Sequence, residues 1–170
     1  MFIVFSSDRG LAGGLNANLI RFSRDILKDI PVALYDEEND VPDDPNAYGI
    51  VKWMDNNSQF LVYDRYDIWL VDINGINASK RLTNGRNNKI ISRFVETDTE
   101  RKTLAKSSTI LIKGFSELDK SELLSILNLA DGKMNLINQV PMHFTTIVGA
   151  AHSNDIAVMQ EDEVKSPNLF

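Results

Sequence analysis

Apolar residues fall in short runs along the chain, rich in β-branched and aromatic side chains. Turn-forming residues separate the runs at roughly 8–12-residue intervals, the pattern of an all-β sandwich, barrel or propeller. Between Tyr48 and Gly85 the reading is clearest. GIVKWM, QFLVYDRY, DIWLVD and KRLT predict four strands, with DNNS (residues 55–58) and Asn74-Gly75 as turns.

A second unit repeats that order. KIISRFVE predicts a strand, TDTERKTLAKSS a polar insertion, and STILIKGFSE and SELLSILNLA two more strands. Asp131-Gly132 then turns the chain into MNLINQV. HFTTIVGAA and NDIAVMQED begin a third unit. Four-stranded units repeating at roughly 40–50 residues are how propeller blades look in sequence. SELDKSELLSILNLA also carries helix signals, since Ser116 and Asp119 resemble a capping box and its leucines recur at helical spacing. The Asp-Gly that follows and the surrounding strand order favour a strand.

The fold class predicted is therefore all-β: a partial propeller with about two complete four-stranded antiparallel blades and partial blades at both ends. The division expected is a partial blade at 1–30, an acidic Pro-rich loop at 31–47, blades at 48–86 and 87–141, and a partial blade at 142–170. The chain stops at SPNLF in what reads as mid-strand, so both ends look like cuts through a longer polypeptide. Residues 1–20 and 140–170 are expected to pair, because each is a partial blade with orphan strands.

Composition adds exclusions. At 170 residues, 43% hydrophobic and 25% charged, the chain is sized for one globular domain. A net charge of −6 argues against general attraction to nucleic acid. Without cysteine there are no disulfides, thiolate metal sites or cysteine nucleophile. No apolar run is long enough to span a membrane, and MFIVFSSDRG lacks the basic start of a signal peptide; the compartment stays open. The carboxylates of IPVALYDEENDVPDDP offer calcium-type oxygen ligands, but their spacing does not match an EF-hand, so the segment reads as a solvated connector. No metal or cofactor is expected.

From about Arg21 onward the chain resembles the β-propeller of bacterial serine peptidases of the prolyl oligopeptidase family, especially the large enzymes typical of Bacteroidetes. The resemblance is carried by IPVALYDEENDVPDDPNAYGI, LVYDRYDIWLVD, LTNGRNNKI with RFV, and SPNLF. It implies a non-catalytic propeller that gates peptide access to a separate α/β-hydrolase domain, where serine, aspartate and histidine carry out acyl transfer. That domain is the partner implied, with peptide substrates met only in the intact enzyme. No G-x-S-x-G elbow occurs here, and His143 and His152 read as structural or solvent-facing. No catalytic residue is assigned.

SDRGLAGGLNANL resembles instead the glycine-rich signature of the rotary ATP synthase gamma subunit, through Ser7, Asp8, Arg9, Gly10, Leu11, Gly13, Gly14, Leu15 and Asn16. It implies, as the alternative, a rotor fragment, which would need long paired helices. The stretch lacks the lysine of a Walker A loop and the glycine spacing of a dinucleotide fingerprint, so a turn is the simpler reading.

Tyr63, Asp64, Arg65, Tyr66, Asp67 and Trp69 form the densest polar-aromatic cluster. One reading makes Tyr63, Arg65, Tyr66 and Asp67 a substrate-facing or interdomain surface, with Arg65 gripping a peptide carboxylate. The other, favoured, makes the cluster packing, with Arg65 paired to Asp64 or Asp67. Trp53 and Trp69 are expected between blades, and the sequons at Asn56 and Asn77 in exposed turns.

Overall fold

The computed structural model describes residues 25–150, 155–162 and 168–169, and among them lie twelve strands and a short 3-10 helix. The first sheet takes β1 (Ile50–Met54), β2 (Gln59–Tyr63), β3 (Ile68–Asp72) and β4 (Lys80–Arg81) in an antiparallel meander. The second takes β5 (Ile90–Val95), β7 (Thr109–Ser116), β8 (Glu122–Asn128) and β9 (Met134–Val140) in the same order. A third sheet holds β10 (His143–Gly149), β11 (Ile156–Glu161) and β12 (Asn168–Leu169). The fold is all-β, its sheets are largely antiparallel, and none closes on itself.

The turns form where the sequence places their side-chain acceptors. Asn56 Oδ1 accepts from the amides of Ser58 at 3.0 Å and Gln59 at 3.1 Å, closing the β1–β2 turn. Asp131 Oδ1 accepts from Lys133 N–H at 2.9 Å, beside Gly132 at φ 76°. Asn74-Gly75 turns as expected, with Gly75 at φ 64°, but within a longer connection between Asp72 and Lys80. The reason lies in Asp72, whose carboxylate accepts from the Asn74 amide and from the Asn77 side chain at 2.6 Å, organising a wider loop.

The segment with helix signals is extended: Glu122–Asn128 is the third strand of its sheet. The capping contact is nonetheless present, since Asp119 N–H lies 3.4 Å from Ser116 Oγ. Lys120 then adopts φ 62°, so a right-handed helix cannot continue and the contact closes the β7–β8 turn.

The polar insertion holds a strand that its composition hides. β6 (Thr103–Leu104) lies parallel to β1, and Leu104 is fully buried, so the first sheet has five strands in the order β4-β3-β2-β1-β6. The expected four-strand limit of that unit is thus exceeded at the β1 edge.

Three apolar layers stack the sheets. Leu61, Ile68 and Leu82 of the first unit meet Ile110, Ile112 and Leu127 of the second, with Leu104 among them. The opposite face of the first sheet buries Phe60, Val62, Trp69 and Val71 against Ile30 and neighbouring residues of the 26–34 segment. Leu111 and Leu124 on the other face of the second sheet meet Phe144 and Val158 of the third. Each central strand therefore buries both of its faces, which explains why β2, β3, β7 and β8 are nearly continuous apolar runs.

Trp69 is buried, but Trp53 is 39% exposed, its ring 5.2 Å from that of Phe60. Trp53 therefore sits at the margin of a core layer and not between sheets. The glycine-rich motif, the expected pairing of residues 1–20 with 140–170, and His152 lie outside the described residues.

Candidate functional site

The β2–β3 connection collects the polar residues of the YDRYDIW stretch and folds them around two buried carboxylates. Tyr63 ends β2, and the chain leaves the strand three residues before the apolar-aromatic pattern suggests. Asp64 is the cause: its Oδ1 accepts from Tyr66 N–H at 2.6 Å and Asp67 N–H at 2.7 Å, and its Oδ2 accepts from Trp69 Nε1–H at 2.9 Å. A carboxylate that accepts from the backbone two and three residues ahead makes a tight turn and ends ladder pairing.

Asp67, also fully buried, does the same for the next connection. It accepts from Thr83 Oγ1–H at 2.7 Å, Gly85 N–H at 2.5 Å and Arg86 N–H at 3.3 Å, pinning the 82–86 segment beneath the turn. Gly85 is required there, since a Cβ would stand 2.0 Å from the Ile90 carbonyl oxygen. The 3-10 helix Arg86–Asn88 and the left-handed Lys89 (φ 56°) then deliver the chain into β5.

Cations surround the turn. Arg65 reaches Glu38 with one guanidinium nitrogen at 2.6 Å and Glu117 with the other at 2.9 Å. Arg86 lies 3.4 Å from Glu37 and 3.5 Å from Asp64, and Arg81 3.9 Å from Asp67. The expected pairing of Arg65 with Asp64 or Asp67 is therefore wrong. Both carboxylates face inward to amide donors, and the Arg65 side chain runs outward to two other segments.

Tyr66 stands at the centre and is 4% exposed. Its hydroxyl donates to Glu117 Oε2 at 2.8 Å, and the Arg65 and Arg86 guanidinium carbons and Lys89 Nζ lie 5.2, 5.2 and 5.6 Å from its ring centroid. Below it, Arg93 lies 4.7 Å from the Tyr63 ring and donates to the Arg65 carbonyl at 3.0 Å, while the Tyr63 hydroxyl accepts from Phe94 N–H at 3.0 Å.

The electrostatics follow from these contacts. The Arg65 guanidinium, and then the Tyr66 hydroxyl, hold the Glu117 carboxyl below its ordinary range. Burial pushes the Tyr63 phenol up and the Arg93 guanidinium down. Paired carboxylates hold Arg65 firmly in its charged form.

Of the four residues singled out in sequence, Asp67 and Tyr66 are buried within the knot, Tyr63 supports it from the end of β2, and Arg65 alone runs outward to its edge. Glu37, Glu38, Arg86, Lys89, Arg93 and Glu117 complete it and were not foreseen. They come from three other segments, and nothing in a linear sequence pairs one arginine with a carboxylate 52 positions away.

His143, its ring largely exposed, lies 2.6 Å from Glu122 Oε1 through Nδ1. Glu122 is itself buried, accepts from Phe144 N–H at 2.6 Å and pairs with Lys113 at 2.9 Å, so this group joins the second and third sheets. Among the described residues no cluster of histidine and carboxylate side chains has the arrangement of a metal site, and no helix is long and apolar enough to cross a membrane. The chain matches no protein-family model, no curated protein and no solved structure in comparisons with each.

Proposed function

We propose that residues 48–141 are two successive blades of a propeller belonging to a serine peptidase of the prolyl oligopeptidase type. In that reading the blades cover a separate α/β-hydrolase domain and restrict which peptides reach it. The chain itself performs no hydrolysis; its role is architectural and selective. The observation that carries the reading is the pair of antiparallel meanders of equal order, β1-β2-β3-β4 and β5-β7-β8-β9, stacked face to face through a shared apolar layer. Blades of a propeller are four-stranded meanders packed in this manner.

The polar knot supports it. Connections from both sheets meet at one end of the stack, where Arg65 and Glu117 join them. An end surface built of ordered loops is where an adjoining domain or a peptide would be met. The resemblance of LVYDRYDIWLVD and LTNGRNNKI to the peptidase propellers falls on the strands and connections that build this knot. The rotor-subunit alternative gains no support from the described residues.

Association in trans tests the reading. The full chain is mixed with the isolated hydrolase domain of a prolyl-oligopeptidase-family peptidase and, separately, with an unrelated α/β hydrolase, and sedimentation velocity is recorded. Complex formation with the first alone is expected. Absence of association with the family domain at tens of micromolar, or equal association with both, would contradict it.

A further inference from the structure

The acidic connection of residues 36–46 is tied at its base and touches the knot with two adjacent carboxylates. Its base is closed by a bridge between Tyr35 and Ala47, by Asp36 N–H donating to Asn46 O at 2.8 Å and by Tyr48 N–H donating to Leu34 O at 3.0 Å. Inside the loop the bonds are local, as where Asn39 Nδ2 donates to Asp43 O at 2.9 Å. Among the described residues, residues 37–44 make two polar contacts to the sheets and their connections: Glu37 to Arg86, and Glu38 to Arg65.

What the two glutamates cover is a cationic cradle. Arg65, Arg86 and Lys89 surround Tyr66, Arg93 lies on Tyr63 and Arg81 approaches Asp67, while the sheets and their own connections supply Asp64, Asp67 and Glu117. Five positive groups face three negative ones, so without Glu37 and Glu38 the cradle carries a local excess of about two positive charges. It does so in a chain whose net charge is −6. Oriented guanidinium groups with this excess select carboxylates, and Arg65 already holds two of them, one on each terminal nitrogen, Glu38 at 2.6 Å and Glu117 at 2.9 Å.

The closed arrangement leaves room for exchange. The Glu38 side chain is 70% exposed while contacting an arginine that is 17% exposed, so the outer partner of the pair is the one water can reach. An ion pair exposed on one side contributes little, and an equivalent carboxylate replaces it without loss. The Nε groups of Arg65 and Arg86 are buried without a hydrogen-bond partner, so neither guanidinium is fully satisfied with the loop in place.

We infer that the Arg65–Arg86–Lys89 cradle over Tyr66 is a binding site for an acidic peptide segment carrying two consecutive carboxylate side chains. Glu37 and Glu38 fill that site in cis, as a strap that such a peptide displaces. The inference rests on the loop and cradle geometry and not on the peptidase proposal, so either can fail alone.

The test uses the full chain and two blocked peptides, acetyl-Gly-Glu-Glu-Gly-amide and acetyl-Gly-Gln-Gln-Gly-amide, followed by calorimetric titration. The E37Q/E38Q variant should bind the glutamate peptide at least about tenfold more tightly than the wild type, weaken as salt is raised, and ignore the glutamine peptide. Adding Arg86→Gln should remove the gain. Equal affinity of wild type and E37Q/E38Q for the glutamate peptide, or equal binding of both peptides, would overturn the inference. Should E37Q/E38Q not fold, the wild type decides by nuclear magnetic resonance. The amide signals of Glu37 and Glu38 should move as the glutamate peptide is added to millimolar concentration and stay fixed with the glutamine peptide; signals that stay fixed with both would overturn it.

Discussion

Arg65 on the β2–β3 connection and Glu117 on the β7–β8 connection are 52 residues apart in sequence and 2.9 Å apart in space. Through this pair, and through the Tyr66 hydroxyl on the second Glu117 oxygen at 2.8 Å, the ends of two sheets are fastened together. Both partners are largely but not wholly covered, so the pair should stabilise by the upper end of what an accessible ion pair contributes, about 1 kcal/mol. Glu117→Gln should therefore lower unfolding free energy by about that amount in urea. A double-mutant cycle with Arg65→Gln should return a coupling of similar size. Additive single effects would mean the contact contributes nothing.

Asp64 is a harsher case. It is fully buried and accepts from two backbone amides and the Trp69 indole. Asp64→Ala would strand those donors without solvent, at a cost of about 3 kcal/mol or more. Chemical denaturation of D64A should show that loss together with a change in Trp69 fluorescence. A variant as stable as the wild type would show that the turn does not depend on the carboxylate.

Leu104 tests the hidden strand. With no exposure and a place in the layer between the first two sheets, Leu104→Ala should cost about 3 kcal/mol. The same substitution in a solvated insertion would change stability by less than about 0.5 kcal/mol, so thermal or urea unfolding separates the two.

Acid should weaken the fold through its held carboxylates. Glu117 is lowered by Arg65, Asp72 by the Asn77 side chain, and Asp119 by its contacts with Ser116 and Ser121, to about 2. A carboxyl lowered in the folded state contributes stability that is present above its unfolded value and disappears as pH falls through its folded value. Urea midpoints should thus be flat above glutamate's ordinary value of about 4.5 and fall steadily from there toward pH 2. Glu117→Gln should flatten part of the slope, and an unchanged slope would place the titrating groups elsewhere.

How far the chain announced this arrangement differs from element to element. The strands of β2, β3, β7 and β8 were legible because each packs both faces into apolar layers, so its sequence is a dense apolar run bounded by Asn, Asp and Gly. β6 was not legible, since a two-residue strand inside TDTERKTLAKSS has no periodicity; only Leu104, an apolar residue among charges, hints at it. The end of β2 is not legible at Asp64, because Tyr63 and Tyr66 continue the β pattern while a single buried carboxylate ends it. Tyr63, Arg65, Tyr66 and Asp67 stood out together and do lie in one knot. The partners of Arg65 did not stand out, since long-range charge pairing depends on how two connections approach in space.

The central claim is that the two meanders are successive blades about one axis, and an experimental structure measures this directly. The rotation carrying β1-β2-β3-β4 onto β5-β7-β8-β9 is determined, then applied once more to the second sheet. The blade account predicts that this second step lands on the sheet of β10, β11 and β12, with the axis running on the β6 side of the first sheet and the β5 side of the second. A different axis for each step, or sheets related by translation as in a layered sandwich, would contradict it.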